Sequence, residues 1–283
     1  MDWVERMNQA IAYLEEHILD EINYSEVAKV AQCSPYHLQR MFPFITNVSL
    51  SEYIRRRRLT LAAFELQNGN EKVIDLSLKY GYESPEAFTR AFQQLHGTTP
   101  TNARNAGIKL KAYPRISFQI TIKGVHEMDY RVEELGAFSV VGKQTTVNTE
   151  GAYNDIVGVW AAAREEGLFD ELWHIRDSEH PMGGILGVCA DGAWGKNDEF
   201  LYSLSIATQH EPPAGMVKRE FAASTWVVFE VEGPPDHLPD LWRRLYTEWV
   251  PVAAFELGNL PAIEVYLPVE ANKNELWVPV IRK

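Results

Sequence analysis

The chain has 283 residues, of which 46% are hydrophobic, so it can form two packed cores and is not a disordered protein. No apolar run reaches the roughly 18 residues that a membrane-spanning helix needs, and the first residues lack the basic and apolar segments of a signal peptide. Cys33 and Cys189 lie far apart without metal-ligand spacing, which is typical of free thiols in a reducing compartment. We therefore expect a cytoplasmic protein without a metal site or a membrane contact.

The net charge of −12 is unevenly distributed along the chain. Residues 111–283 carry 15 basic and 26 acidic side chains, a balance of −11, whereas residues 22–110 carry 11 and 7, a balance of +4. A basic body attracts phosphate, and an acidic body attracts cations. The charge pattern thus indicates a first part suited to nucleic acid, joined to a second part suited to a cationic ligand.

The first part opens with a predicted amphipathic helix at residues 4–19, followed by two short helical patterns. Ser25 and Ser34 are each predicted to cap one of these short helices, and Pro35 fits the first helical position after Ser34. The small side chain of Ala28 allows the two helices to cross closely. Two short helices joined by a turn are the pattern of a helix-turn-helix.

The same pattern returns fifty residues later. The repeated residues are Ser34-Pro35 with Ser84-Pro85, Leu38 with Phe88, Arg40 with Arg90, and Phe42 with Phe92. The second copy begins with a helix at residues 74–80, and a long helix at about residues 50–66 joins the two copies. Any helical hairpin can mimic one copy, but two copies in register are specific. Two recognition helices on one body can enter major-groove segments roughly 34 Å apart.

Residues 5–104 resemble the DNA-binding domain of the AraC/XylS family, on the strength of the stretches 34–42 and 81–92 and of Gly97 and Pro100. The resemblance implies an all-α domain with two helix-turn-helix units that binds double-stranded DNA. Cys33 is a minor departure from the family pattern. Pro43 is a less usual one, and it predicts a shortened or kinked first recognition helix.

The apolar side chains of the two recognition helices must face the core, so the opposite sides are predicted to face DNA. Arginine can pair with guanine, glutamine with adenine and glutamate with cytosine. The predicted DNA-facing residues are Tyr36, Gln39 and Arg40 on the first helix, and Glu86, Thr89, Arg90 and Gln93 on the second. The alternative is that they are ordinary solvated side chains.

The run Arg55 to Arg58 covers the whole circumference of the joining helix, so all four side chains cannot touch DNA. One or two can meet phosphate, and the others form intramolecular ion pairs or are solvated. For Lys72 and Lys79 the sequence leaves two alternatives open, a contact with the DNA backbone and an ordinary position on the protein surface.

We place the DNA-binding domain at residues 1–108, a linker at 109–117 and a second domain at 118–283. The strand patterns of the second domain are Ile116–Ile122, Phe138–Thr146, Ile185–Val188, Leu201–Ile206, Thr225–Val231, Ile263–Leu267 and Leu276–Val280, and its helix patterns are Tyr153–Glu166 and Leu238–Trp249. They predict an α+β domain of two pseudo-symmetric strand-helix-strand-strand repeats, and hence a multidomain protein.

Residues 128–283 resemble the GyrI-like effector-binding domain through segments 213–215, 229–234, 242–249, 261–266 and 276–280. The resemblance implies a cleft between the repeats that binds lipophilic cations, with an acidic residue at the position of Glu264. A poorly solvated carboxylate and aromatic faces both favour an organic cation. The candidate walls are Trp160, Trp194, Tyr202, Trp226, Trp249, Phe255 and Tyr266. The alternative is that the aromatic rings form the core and that Glu264 faces solvent.

The sequence therefore predicts a transcription regulator that binds a specific DNA sequence and senses a small, lipophilic cationic effector. Its expected partners are DNA, the effector and RNA polymerase. We expect no cofactor and no catalysis, because phosphate loops, metal clusters and nucleophile elbows are missing from the sequence. One alternative is a GyrI-like hydrolase of reactive small molecules, with Glu264 as base and Tyr202 as hydrogen-bond donor. Another is a stoichiometric inhibitor that binds a protein through its acidic face.

Overall fold

The computed structural model describes residues 3–119, 127–148, 152–190 and 199–282. The chain divides into two compact units. The first contains Met1–Pro35 and Val48–Ile120, and the second contains Tyr36–Asn47 and Thr121–Lys283. In the part of the chain described, no helix combines the length and apolar character needed to cross a membrane.

Seven helices precede the first strand in the described ranges. They are α1 (Trp3–Glu16), α2 (Tyr24–Ala31), α3 (Pro35–Thr46), α4 (Leu50–Asn68), α5 (Val73–Lys79), α6 (Pro85–His96) and α7 (Pro100–Ala103). In the first unit, α4, α5 and α6 bury one core that includes Leu59, Leu76, Phe88 and Phe92. The predicted helices and the joining helix are confirmed.

The caps of these helices agree with the sequence prediction at one place and not at another. Ser84 caps α6 as predicted, because its hydroxyl accepts from the backbone N–H of Ala87 at 3.1 Å. Ser25 does not cap α2, and that prediction is wrong. The helix begins at Tyr24, so its cap lies two residues earlier, and the side chain of Asn23 accepts from the N–H groups of Ser25 and Glu26.

All four arginines of the run on α4 bind groups within the first unit. Arg55 and Arg56 both pair with Glu52, and Arg57 pairs with Glu15 at 2.8 Å. Arg58 donates to the backbone carbonyls of Ile18 and Asp20 at 2.7 Å. The contacts of Arg57 and Arg58 brace α4 against α1 and the chain that follows α1, and those of Arg55 and Arg56 stay within α4. All four are the intramolecular alternative for this run.

The second unit is built on a sheet of nine strands within the described residues. They are β1 (Tyr130–Leu135), β2 (Phe138–Asn148), β3 (Ile185–Ala190), β4 (Glu199–Ala207), β5 (Val217–Phe221), β6 (Ser224–Glu232), β7 (Phe255–Leu257), β8 (Ile263–Tyr266) and β9 (Lys273–Arg282). Their order is β1-β6-β9-β8-β3-β4-β2-β5, with β7 beside β9. The β3–β8 pair lies at the centre of this order, with β4, β2 and β5 on one side and β9, β6 and β1 on the other. The two halves correspond strand by strand, so the predicted α+β class with two repeats is confirmed.

Besides α3, the second unit has helices that follow β2 in one half of the sheet and β6 in the other. They are α8 (Ala152–Glu165), α9 (Leu168–Ile175) and α10 (Leu238–Arg244), and α10 continues as a π-helix over Leu245–Trp249. Both predicted helices are confirmed in position. The predicted strand at Ile116–Ile122 is wrong for residues 116–119, which form no strand, and its remainder lies outside the described residues.

Strand alternation divides the side chains of the central strands between the two faces of the sheet. Leu186, Val188, Ile263 and Val265 belong to a core cluster on one face that also contains Trp277. Their neighbours along β3 and β8 therefore face the opposite side. Glu264 points away from Ile263 and Val265, as the sequence predicted.

Candidate functional site

Glu264 lies in the middle of the sheet, opposite Gly187 in the β3–β8 register. Its side chain is only 10% exposed. Glycine at position 187 lets the neighbouring side chains pack closely against this strand, because no larger residue fits there. A Cβ atom there would lie 2.6 Å from the Tyr202 hydroxyl oxygen and 3.2 Å from Glu264 Oε2.

Aromatic side chains surround this carboxylate, and we call the group of Glu264, Tyr266, Trp160, Tyr202 and Trp242 the Glu264 cleft. Trp242 Nε1 donates to Glu264 Oε1 at 2.6 Å, and the Tyr266 hydroxyl donates to Oε2 at 2.8 Å. Trp160 Nε1 donates to the Tyr202 hydroxyl at 3.1 Å, and its ring lies 4.4 Å from the Tyr266 ring. The structure thus brings together four residues of the predicted ligand site.

Burial raises the pKa of both the Tyr202 and the Tyr266 hydroxyl, and the negative charge of Glu264 raises it further. Both phenols therefore stay protonated at neutral pH and can act as hydrogen-bond donors or acceptors. The cleft presents one carboxylate among neutral aromatic groups, an arrangement that favours a cation with apolar surface.

The guanidinium group of Arg40 occupies this cleft. Its Nη2 atom pairs with Glu264 Oε1 at 2.6 Å, and its central carbon lies 4.1 Å from the centroid of the Trp242 ring. Its Nη1 atom donates to the sulfur of Cys189, a thiol whose pKa burial raises to about 11. The Arg40 side chain is 13% exposed. A planar, delocalised cation is thus held between a carboxylate and an indole face.

Further side chains of α3 accompany Arg40 into the second unit. Tyr36 and Phe44 lie one turn before and one turn after it, on the same stripe of the helix. Tyr36 packs in the cluster that contains Cys189 and Tyr202, and Phe44 stacks on Trp242 at 5.8 Å. Helix α3 therefore fits the second unit through a stripe about two turns long.

A buried histidine adds a polar contact to the same helix. His37 Nε2 donates to the backbone carbonyl of Gly258 at 3.0 Å. Burial lowers the pKa of His37 to about 4, so the ring is neutral at pH 7. Pro43 lies inside α3 without ending it, and the backbone N–H of Asn47 still donates to the Pro43 carbonyl. The predicted shortening of this helix is wrong.

Three residues of the predicted ligand site lie elsewhere. Trp226 packs with Ile263 and Trp277 on the opposite face of the sheet. Trp249 stacks with Phe255 at 6.3 Å in a separate aromatic group with Phe229. The structure therefore does not bring these three residues into the Glu264 cleft. Trp194 lies outside the described residues.

Trp242 of the Glu264 cleft and Cys189, which contacts Arg40 beside it, escaped the sequence analysis. Trp242 lies 22 residues before its partner Glu264, and Cys189 reaches the cleft because it alternates with Val188 on β3. The helix pattern at 238–249 could have suggested Trp242 as a buried residue, but no spacing rule connects it to a particular strand residue.

The predicted DNA-facing residues differ in exposure between α3 and α6. On α6, Glu86, Arg90 and Gln93 are exposed and Thr89 is partly exposed. On α3, Gln39 is partly exposed, but Tyr36 is buried with 3% exposure. The outward orientation predicted for Tyr36 is therefore wrong in this structure, and the Arg40 side chain is directed into the cleft.

Residues 128–281 match the family described as the GyrI-like small molecule binding domain. The chain belongs to this GyrI-like family. Residues 27–106 match a helix-turn-helix domain. The GyrI-like match contains Glu264 and Trp242, whereas the helix-turn-helix match contains Arg40, so the two partners of the buried ion pair come from different family segments.

Similar proteins place this GyrI-like protein among transcription regulators. The regulatory protein SoxS of Escherichia coli strain K12 is 40% identical over 95 residues, which are 34% of this chain and 89% of SoxS. The right origin-binding protein of the same strain is 34% identical over 106 residues, 38% of this chain and 37% of that protein. The protein is thus an AraC-family DNA-binding regulator with a GyrI-like ligand-binding domain.

Two solved structures are also similar to parts of the chain. The structure of SAV2435 bound to tetraphenylphosphonium covers 54% of this chain and 94% of that chain, with 22% identity and a TM-score of 0.47. The DNA-binding domain of AdpA in complex with a target DNA covers 35% and 89%, with 21% identity and a TM-score of 0.33.

Proposed function

We propose that this regulator senses a lipophilic organic cation in the Glu264 cleft and reads a specific DNA sequence with its two recognition helices. The observation that supports the effector class is the guanidinium group already seated there, 2.6 Å from the carboxylate and 4.1 Å from an indole centroid. A cleft built to hold one delocalised cation has the chemistry to hold another.

The physical reason lies in the burial of Glu264. A carboxylate with 10% exposure has lost most of its hydration, and hydrogen bonds from Trp242 and Tyr266 replace only a part of it. A cation with aromatic or planar surface can serve as the charge partner, as the Arg40 guanidinium does here, and it also gains contact with the rings. The acidic balance of the second half concentrates cations nearby, but selection among them comes from this cleft.

The test of the effector site is a calorimetric titration of the full chain with tetraphenylphosphonium and with a neutral compound of similar shape, triphenylphosphine oxide. Glu264→Gln keeps the shape of the side chain and removes its charge. We expect this variant to bind the cation about 1.5–3 kcal/mol more weakly and the neutral compound unchanged. Glu270→Gln, at an exposed position, controls for the change in net charge. Equal weakening of both compounds, or of neither, contradicts the charge-partner role.

The DNA-binding part of the proposal concerns the exposed face of α6. Arg90→Ala should cost roughly 1–3 kcal/mol on a duplex selected from a random pool by the full chain, and it should relax the preference at one base pair. Lys72→Ala, the matched change near the same helix-turn-helix unit, should weaken binding evenly on all sequences if it removes a phosphate contact. An even loss for Arg90→Ala would make Arg90 a phosphate contact instead. Base contacts by Gln39 and Arg40 on α3 are also part of the proposal.

The last part of the proposal concerns the location of the protein, its contact with RNA polymerase and the fate of the effector. We propose that it works in the cytoplasm and contacts RNA polymerase, and that it retains its effector without hydrolysing it. Incubation of the full chain with a strained, reactive ring compound, followed by mass spectrometry, separates binding from hydrolysis. Loss of the intact compound would favour the hydrolase alternative, with Glu264 and Tyr202 as the acting groups.

A further inference from the structure

Arg40 occupies the position that a cationic effector needs. Its guanidinium group takes up the Glu264 oxygen that also accepts from Trp242, and it covers the face of the Trp242 ring. An effector that used the same carboxylate and the same indole face would overlap with this group. The two cations therefore cannot occupy the Glu264 cleft together.

The same side chain belongs to the predicted DNA-reading face of α3. Arg40 is 13% exposed and Tyr36 is 3% exposed, so neither can reach a base edge while α3 is held in the second unit. His37 and Phe44 hold the helix there through Gly258 and Trp242. The arrangement described by this structure is consequently closed to DNA at the first recognition helix.

We propose that Arg40 is an internal ligand of the Glu264 cleft, which a planar or aryl-substituted organic cation replaces, and that this replacement releases α3 for DNA binding. The inference rests on the proposed function, because it concerns the same cleft. Binding of the effector and binding of DNA by α3 then favour the same released state. Thermodynamic linkage requires that each ligand increases the affinity for the other by the same factor.

The replacement predicts how the affinity for a cation depends on Arg40. While the internal ligand fills the cleft, the apparent affinity is reduced by the fraction of molecules in the open state. Arg40→Gln removes the competing charge, and we expect it to bind tetraphenylphosphonium about tenfold or more tightly than the unchanged chain does. In a Glu264→Gln background the same change should produce no gain, because the shared partner of both cations is gone.

Matched variants make this titration decisive. Arg243 forms an exposed pair with Asp240 on α10, so Arg243→Gln changes the net charge equally without touching the cleft, and its affinity should stay unchanged. Arg40→Lys keeps a charge but loses the planar group, so an intermediate affinity is expected. A thermal melt of each variant shows whether it folds. If Arg40→Gln does not fold, the affinity of Arg40→Lys still tests the competition.

The outcomes separate this inference from the proposed function. Equal affinities of the unchanged chain, Arg40→Gln and Arg40→Lys, together with weakening by Glu264→Gln, would overturn the competition and leave the effector site intact. If Glu264→Gln does not weaken binding of the cation, either in the unchanged chain or together with Arg40→Gln, the proposed effector class is overturned. The inference then falls with it.

A second measurement tests the release of α3. On a selected duplex, Glu264→Gln without any cation should bind DNA more tightly than the unchanged chain, by a factor within the about 5–150-fold range of allosteric couplings. The cation should tighten DNA binding by the unchanged chain and have no effect on Glu264→Gln. Equal DNA affinities of the two proteins, with and without cation, would overturn the coupling.

Discussion

Gly187 determines how much space the Glu264 cleft contains, so Gly187→Ala is a direct test of its geometry. The added methyl group would lie 2.6 Å from the Tyr202 hydroxyl, 3.0 Å from Tyr266 Cε2 and 3.2 Å from Glu264 Oε2. Tyr202 is 1% exposed, and its hydroxyl accepts from Trp160, so it cannot turn away freely. Forcing an extra methyl into a packed site costs about 1–3 kcal/mol.

The assay is a thermal melt of the full chain followed by the cation titration described above. For a domain of this size, a loss of this magnitude lowers Tm by about 2–4 °C per kcal/mol. The methyl group also fills space next to the carboxylate, so tetraphenylphosphonium should bind more weakly to Gly187→Ala. Gly136→Ala is the matched control, because an added Cβ at this exposed turn meets nothing within 4 Å. If Gly187→Ala has the same Tm and the same affinity for the cation as Gly136→Ala, the added methyl group has found free space, and the reasoning from close packing is refuted.

Three further predictions concern stability. His37 has a pKa of about 4 because burial disfavours its charged form, so the unfolded chain takes up a proton below pH 6.5 that the folded chain does not. The free energy of unfolding should fall by up to about 3 kcal/mol between pH 6.5 and 4. Urea unfolding of His37→Gln should show a smaller fall over the same pH range. Trp242→Phe removes the N–H that donates to Glu264, and chemical unfolding should show a loss of about 1.5–3 kcal/mol; unchanged stability would show that the bond contributes nothing. Gly158→Ala, on α8 with open space around the new methyl, should raise Tm through a gain of about 0.5–1 kcal/mol, and a lower Tm would contradict this.

Much of the fold was predictable because its signals are local. Ser84, Pro85 and the two phenylalanines of α6 lie within a few residues of one another, and their spacing reflects one turn of a helix. The alternation around Glu264 is equally local, so its orientation away from Ile263 and Val265 could be read from the strand itself. Local patterns of this kind predicted both the double helix-turn-helix and the α+β class.

The cleft was predictable only in part, because its membership depends on contacts between distant residues. Arg40 and Glu264 are 224 positions apart, and nothing in either neighbourhood marks them as partners. The error for Tyr36 has the same origin: the helix pattern gives a polar side to α3 but does not say what covers that side. Trp226 was misplaced because its aromatic character does not reveal which face of a nine-stranded sheet it joins.

The buried pair between Arg40 and Glu264 also bears on how such a protein can evolve. A substitution at position 40 changes the fit of α3 to the cleft and, in our proposal, the base that it reads, so the two properties are inherited together. The exposed residues of α6 carry no such double constraint, since Arg90 and Gln93 lie open on their helix. Descendants that acquire new operators should therefore diverge first along α6, while α3 changes only together with the residues that line the effector cleft.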